Sequence, residues 1–228
     1  MSKYSELVYM VLDEIKGVSD DYSFNEDHVI FLLDKYRGFL LKQRYSDIKK
    51  QIPESNYQTI SLELIQVPAI NGEPCEGGTY LRSKDKIPFL MQIGIPRVYP
   101  IDYYQGDITY ISRDRMRYAG NNKYLKNIIY CSINPDNYLY FKSSNPQFLY
   151  LENVKFTGIF QDSREASKLG DTESNSCDIL NSTFPLEDAL IPPLIEFVVK
   201  ELLGASYRPA DSVNNANDDL EGLAVKTK

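Results

Sequence analysis

Residues 58–67, Gln58-Thr59-Ile60-Ser61-Leu62-Glu63-Leu64-Ile65-Gln66-Val67, alternate apolar and polar side chains and stop at Pro68. A period of two puts successive side chains on opposite faces, the pattern of a strand with one buried face. Upstream of this run the apolar period is helical. Ser5 caps a run with Leu7, Val8, Val11, Leu12 and Ile15 on one face, closed at Gly17. After the polar turn Val18–Ser23, Asn25 or Asp27 caps a longer helix through about Arg44. Its expected apolar set is Phe31, Leu32, Tyr36, Phe39 and Leu40, with Asp34, Lys35, Arg37 and Lys42 outward. Two such helices joined by a tight loop predict an αα-hairpin over 1–50.

Downstream the period of two persists. Thr79–Arg82, Phe89–Ile93, Ile108–Ile111, Asn127–Ile133, Tyr138–Phe141 and Leu149–Phe160 are further β-like runs, broken by Gly, Asn and Pro clusters. Asn134-Pro135-Asp136-Asn137 between two Tyr-rich runs predicts a tight hairpin. Arg113–Ala119 and Ser163–Leu169 are candidate helical interruptions. The expected middle, 51–183, is therefore a mostly antiparallel β-domain of about six to eight short strands. Phe184–Pro193 leads into a helix over Leu194–Leu203 ended by Gly204, expected to pack on the helical part as a segment 184–204. Residues 205–228 turn polar and read as a loose docking arm. The fold class is α+β: a helical hairpin, a central Tyr-rich β-domain, a closing helix and a polar arm.

The 228 residues carry 25 Lys and Arg against 32 Asp and Glu, a net charge of −7, with a pI near 4.9. Such an acidic chain makes a poor general binder of phosphate backbones. The charge is uneven: residues 1–74 hold 8 basic and 12 acidic side chains (−4), 75–150 hold 10 and 6 (+4), and 151–228 hold 7 and 14 (−7). A basic body between acidic ends suits head-to-tail or stacked assembly. The chain has 18 Tyr, 10 Phe and no Trp, a composition suited to interfaces because Tyr adds rigid apolar area with a polar tip.

Catalytic and metal chemistry finds little support. The single histidine, His28, sits among Val29, Ile30, Phe31, Leu32 and Leu33, and reads as a first-turn residue at a buried or half-buried helix position. No GxSxG, GxxxxGK[ST], GxGxxG or HExxH pattern occurs, and Glu76-Gly77-Gly78-Thr79 reads as a turn. The acidic pairs Asp20/Asp21, Glu187/Asp188 and Asp218/Asp219 fall at helix starts or in the polar tail, where they complement the helix dipole or solvate the chain. Cys75, Cys131 and Cys177 are odd in number and widely spaced, and three free thiols suit synthesis in a reducing cytoplasm. Neither a signal peptide nor a membrane span is expected. The reading is a non-enzymatic protein without cofactor or metal.

Candidate partner-contact residues are Arg113, Arg115 and Arg117, which share one face if their segment is a strand; Tyr138 and Tyr140 in the hairpin; and Pro209, Asp211, Asn214 and Asn215 in the arm.

The order of HVIFLLDKYRGFLLKQRY (28–45), LRSKDKIP (81–88), NYLYFKSSN (137–145), GIFQDSREA (158–166) and the closing PLEDALIPPLIEFVVKELLG (185–204) resembles the ring, or head-to-tail adaptor, proteins of crAss-like bacteriophages of Bacteroidales hosts. Those proteins are in turn similar to the tail tubular adaptors of short-tailed phages. The resemblance spans roughly residues 5–220. It implies a structural subunit of the virion neck or tail, in a homo-oligomeric ring of about twelve copies beneath the portal. The implied partners are the portal protein and adjacent tail ring proteins, with genomic DNA passing through the channel and no membrane contact. The alternative is a non-enzymatic protein-binding module that is not part of a ring; oligomeric state separates the two.

Overall fold

The computed structural model describes residues 2–18, 25–47, 50–68, 79–101, 108–116, 118–119, 123–125, 127–170 and 179–206. Helix α1 spans Tyr4–Val18, and Glu6 Oε2 accepts a hydrogen bond at 3.0 Å from the backbone N–H of Lys3 at its start. Helix α2 spans Glu26–Arg44, capped by Asn25, whose side chain accepts from Asp27 N. The last helix, α5, spans Ile191–Ser206, with Pro192 and Pro193 in its first turn, where the missing N–H groups cost nothing. Gly204 lies inside α5 instead of ending it, so Ala205 and Ser206, expected in the arm, are helical.

The three helices share one core: Tyr4, Leu7, Val11 and Ile15 of α1, Val29, Leu33 and Leu40 of α2, and Leu194, Val198 and Leu202 of α5. Helix α5 packs on both α1 and α2, so the three helices form one bundle. Tyr36 stacks on Phe197 at 5.7 Å and donates to Glu201 at 2.9 Å. The expected stripe of α2 is rotated. Phe31 and Phe39 are 51% and 53% exposed, while Asp34 and Arg37, expected outward, are buried. Two stripes coexist on this helix, and the buried one runs through Val29, Leu33, Arg37 and Leu40 at helical spacing.

The β-body has seven strands: β1 Gln58–Pro68, β2 Thr79–Ser83, β3 Arg97–Pro100, β4 Ile108–Tyr110, β5 Ile129–Ile133, β6 Leu139–Lys142 and β7 Asn153–Gly158. Their order is β3-β7-β1-β2-β6-β5-β4, antiparallel throughout except β4 with β5. Strand β1 is the long spine, pairing β7 along its first half and β2 along its second. The sheet rolls until β4 lies against β3, and the Tyr110 and Phe156 rings meet edge-on at 6.4 Å. The roll encloses a second core of Ile60, Leu62, Phe141, Val154, Phe156 and their neighbours. Consecutive residues Ile159 and Phe160 belong to different cores, the first to the helical one and the second to the β one.

The Asn134–Asn137 turn joins β5 to β6 as expected, with Asn137 at φ 63°, a left-handed value that Asn tolerates. Helices α3 (Arg113–Met116) and α4 (Ser163–Lys168) fall at both candidate interruptions. Phe89–Ile93 is not a strand: Leu90 makes one bridge to Phe160, and Pro88 and Pro96 bracket a strap that cannot donate a full ladder. The true strand there is β3, four residues further on. Leu149–Phe160 is also shorter than expected, because Pro146–Tyr150 forms a 3-10 turn before β7.

Candidate assembly surfaces

Beneath α2 lies a buried polar junction. Arg37, fully buried, donates from Nε to Pro185 O at 2.8 Å and from Nη1 to Phe160 O at 2.9 Å, with Nη2 3.5 Å from Asn56 O. One turn back, Asp34 Oδ1 accepts from Ser163 Oγ, which also shares a hydrogen bond with the Tyr4 hydroxyl. Arg164 Nε stands 3.4 Å from Asp34 Oδ2, an ion-pair distance, although that oxygen makes no hydrogen bond. Burial raises the Asp34 carboxyl to about 6, opposed by the Ser163 hydrogen bond and by Arg37 and Arg164. Burial also raises the Tyr4 hydroxyl and lowers Arg37. The junction ties α1, α2, α4, the turn at Asn56 and the lead into α5 to the end of the sheet. Its polar groups are committed to holding these parts together.

The other stripe of α2 faces outward. Phe31 and Phe39 line one wall of an open groove of about 1790 Å³; the strap 89–97 forms the other wall, with Phe89 and Ile95 on it. Phe89 is 64% and Ile95 76% exposed. Small-molecule pockets run ~300–1,000 Å³ and enclose most of their ligand, whereas this groove is larger and open to solvent. Gly94, at φ +73°, lets the strap turn against Tyr57: a Cβ there would lie 2.6 Å from the Tyr57 hydroxyl oxygen. Sequence reading missed the groove, although the signals were present: prolines at both ends of an apolar run, and the recurrence Phe31, Lys35, Phe39, Lys42 along α2.

The residues singled out from sequence are not brought together. Arg113 and Arg115 are exposed on α3, a helical turn, so the strand geometry that would align them does not hold. Tyr138 is half-buried, with the Arg82 guanidinium 4.1 Å from its ring centre and Lys86 Nζ at 5.8 Å. Tyr140 is buried and donates to Asp136 Oδ2 at 2.6 Å, while Asp136 Oδ1 accepts from Tyr138 N. The hairpin turn and α3 sit at opposite ends of β6, since Lys142 Nζ reaches Met116 O. Arg117, Pro209, Asp211, Asn214 and Asn215 lie outside the described residues, as do Cys75 and Cys177. Cys131 is buried, and burial raises its thiol. His28 lies in the first turn of α2 but is exposed, correcting the buried or half-buried position expected of it. Among the described residues, no helix is long and apolar enough to cross a membrane.

A polar junction spent on internal rigidity, beside a groove rimmed by exposed Phe and Ile, defines a protein that other proteins complete: an assembly subunit. Comparison with known proteins agrees. Residues 6–220 match the family described as phage tail ring protein 2. The chain is 67% identical over 219 residues to Ring protein 2 of Bacteroides phage crAss001, a match covering 95% of this chain and 97% of that protein. The chain belongs to the phage tail ring protein 2 family, whose members are structural, and the resemblance drawn from the order of its sequence segments is thereby established.

Proposed function

We propose that the protein is a non-enzymatic subunit of a homo-oligomeric ring of about twelve copies in the neck of a phage particle, joining the portal to the tail. The genome passes through the channel of that ring. The observation carrying this reading is the family match over residues 6–220. The fold supports it: two separate cores locked by the Arg37 junction make a stiff building block, and the groove leaves apolar surface for a neighbour. A net charge of −7 suits a wall that lets DNA pass without holding its phosphates. We divide the chain into a helical hairpin (1–50), a β-domain (51–183), a closing helical segment extended to 184–206 and a docking arm after it (207–228). The arm's Pro209, Asp211, Asn214 and Asn215 contact a neighbouring subunit or the next ring.

Microscopy of intact particles tests the reading directly. A side-by-side ring of this chain between portal and tail is expected, whereas a single copy, or a position away from the DNA path, overturns it. Deleting residues 209–228 tests the arm. The melting temperature is expected to hold while incorporation into particles falls; a truncated chain that assembles normally, or one that fails to fold, refutes the docking role.

A further inference from the structure

We propose that α3 and the exposed Tyr118 beside it form a contact surface for the phosphate backbone of duplex DNA, carried on the end of the β-body where β6 finishes. The proposal rests on the ring reading, in which the genome passes through the channel, and names the part of the subunit that faces it. Charge selects the ligand. Residues 108–133 hold Arg113, Arg115, Arg117, Lys123 and Lys126 against one acid, Asp114, a net of +4. Removing that +4 from the chain's −7 leaves −11 on everything else. A basic patch on an otherwise acidic body is the electrostatic footprint of a polyanion site.

The fold carries this patch on a fixed base. Strand β6 ends at Lys142, whose ammonium reaches Met116 O of α3 at 3.4 Å, and Ser143 after it donates from Oγ to Ile128 O at 3.0 Å. Ile128 N donates to Leu125 O at 3.3 Å, so α3 and the 3-10 turn Lys123–Leu125 are both anchored to the end of β6. Arg113 and Arg115 are exposed, and Tyr118 and Tyr124 are 78% and 81% exposed. Positions two apart on a helical turn point about 200° away from each other. The two guanidinium groups therefore fan to either side of α3 instead of lining one face. That suits a ligand whose charges recur along its length and are met without base register. Phosphate contacts position a protein on a duplex, and Arg and Tyr are among the side chains that make them.

A second copy of the chain is the weaker candidate for the same cations. Glu54, Glu63, Glu187, Glu196 and Glu201 each have a cation of their own subunit within 4.0 Å, so these acids of a neighbour are already engaged. Duplex DNA offers one phosphate charge per ~1.7 Å of its axis, balanced only by mobile counterions. The contact is light. With Arg113 and Arg115 as its exposed cations, each subunit meets about two phosphates, and the acidic remainder of the surface repels the rest of the duplex. Such a patch centres DNA without gripping it.

The test titrates the full chain into a short fluorescein-labelled DNA duplex and follows fluorescence anisotropy. Affinity is expected to fall about 12-fold between about 50 and 200 mM salt, from a slope of about −0.9 for each of two phosphates. Arg113→Gln combined with Arg115→Gln is expected to weaken binding about tenfold or more at the lower salt. Lys84→Gln combined with Lys200→Gln removes the same charge elsewhere on the surface and is expected to change affinity less than about twofold. No binding by the wild type at low salt, binding that ignores salt, or equal losses in the two double variants overturns the proposal. In assembled particles Tyr118 is replaced by the photo-crosslinking residue p-benzoylphenylalanine, and a crosslink to DNA is expected. A crosslink to protein alone, in particles whose ring still encircles the DNA, overturns the contact and leaves the ring reading standing. Copies lying away from the DNA path overturn both.

Discussion

Replacing Arg37 by Met keeps most of the side-chain volume and removes the charge at the centre of the buried junction. Two short hydrogen bonds to backbone oxygens are lost, at 2.8 Å to Pro185 and 2.9 Å to Phe160; the third contact, at 3.5 Å, counts for little. The Pro185 and Phe160 carbonyls lose these donors, and Asp34 loses a cation that favours its ionised form. Breaking a buried charge network from one side costs roughly 3–5 kcal/mol, most of it the penalty on the groups left behind. At about 2–4 °C per kcal/mol for a domain of this size, the melting temperature is expected to fall by roughly 6–20 °C. The chain has no Trp, so urea unfolding at pH 7.5 is followed by far-ultraviolet circular dichroism. Repeating the substitution in an Asp34→Asn background closes a double-mutant cycle. The loss is expected to shrink there, because no carboxylate remains to be stranded. A single-variant cost below about 1 kcal/mol, or the same cost in both backgrounds, refutes the claim that the junction acts as one network.

Asp34 is raised to about 6 in the fold, against about 3.9 in an unfolded chain. Its ionisation therefore destabilises the fold above pH 6, and the penalty disappears as pH falls toward 4. Relative to Asp34→Asn, the wild type is expected to gain roughly 3 kcal/mol between pH 7.5 and pH 4, from about two pH units at 1.36 kcal/mol each; a pH-independent difference refutes this. Leu32, 2% exposed, is expected to cost ~2–5 kcal/mol on truncation to Ala. Phe31, one residue earlier and 51% exposed, should change stability by about 0.5 kcal/mol or less as Phe31→Ser. Equal losses at both positions in parallel urea titrations would contradict the two-stripe reading of α2. Gly94→Ala adds a Cβ at positive φ, 2.6 Å from the Tyr57 hydroxyl oxygen. It is expected to cost more than ~1 kcal/mol by thermal melting, and an unchanged melting temperature refutes the tight seat of the strap.

What the sequence disclosed was decided by how local the determining interactions are. The start of α2 was legible because Asn25 caps it with its own side chain, and the β5–β6 hairpin because its four turn residues close it without help. Strand β1 was legible because one of its faces is wet and the other dry, so the alternation Ile60, Leu62, Leu64 survives in the residues themselves. The failures are long-range. On α2 two stripes compete, and Phe is more apolar than Arg, so composition favoured the exposed face. Arg37 lies in the core because carbonyls of Pro185 and Phe160, 148 and 123 residues away in sequence, supply its acceptors. The strap is the converse case. Its apolar run suggested a strand, but its prolines deny it a full ladder, and Phe89 and Ile95 stay exposed along the open groove. An apolar residue found outside, and a charged residue found inside, are where the pattern within one chain stops deciding the answer. In this protein the charged residue locks the helical part to the end of the sheet, and the apolar ones line an open groove.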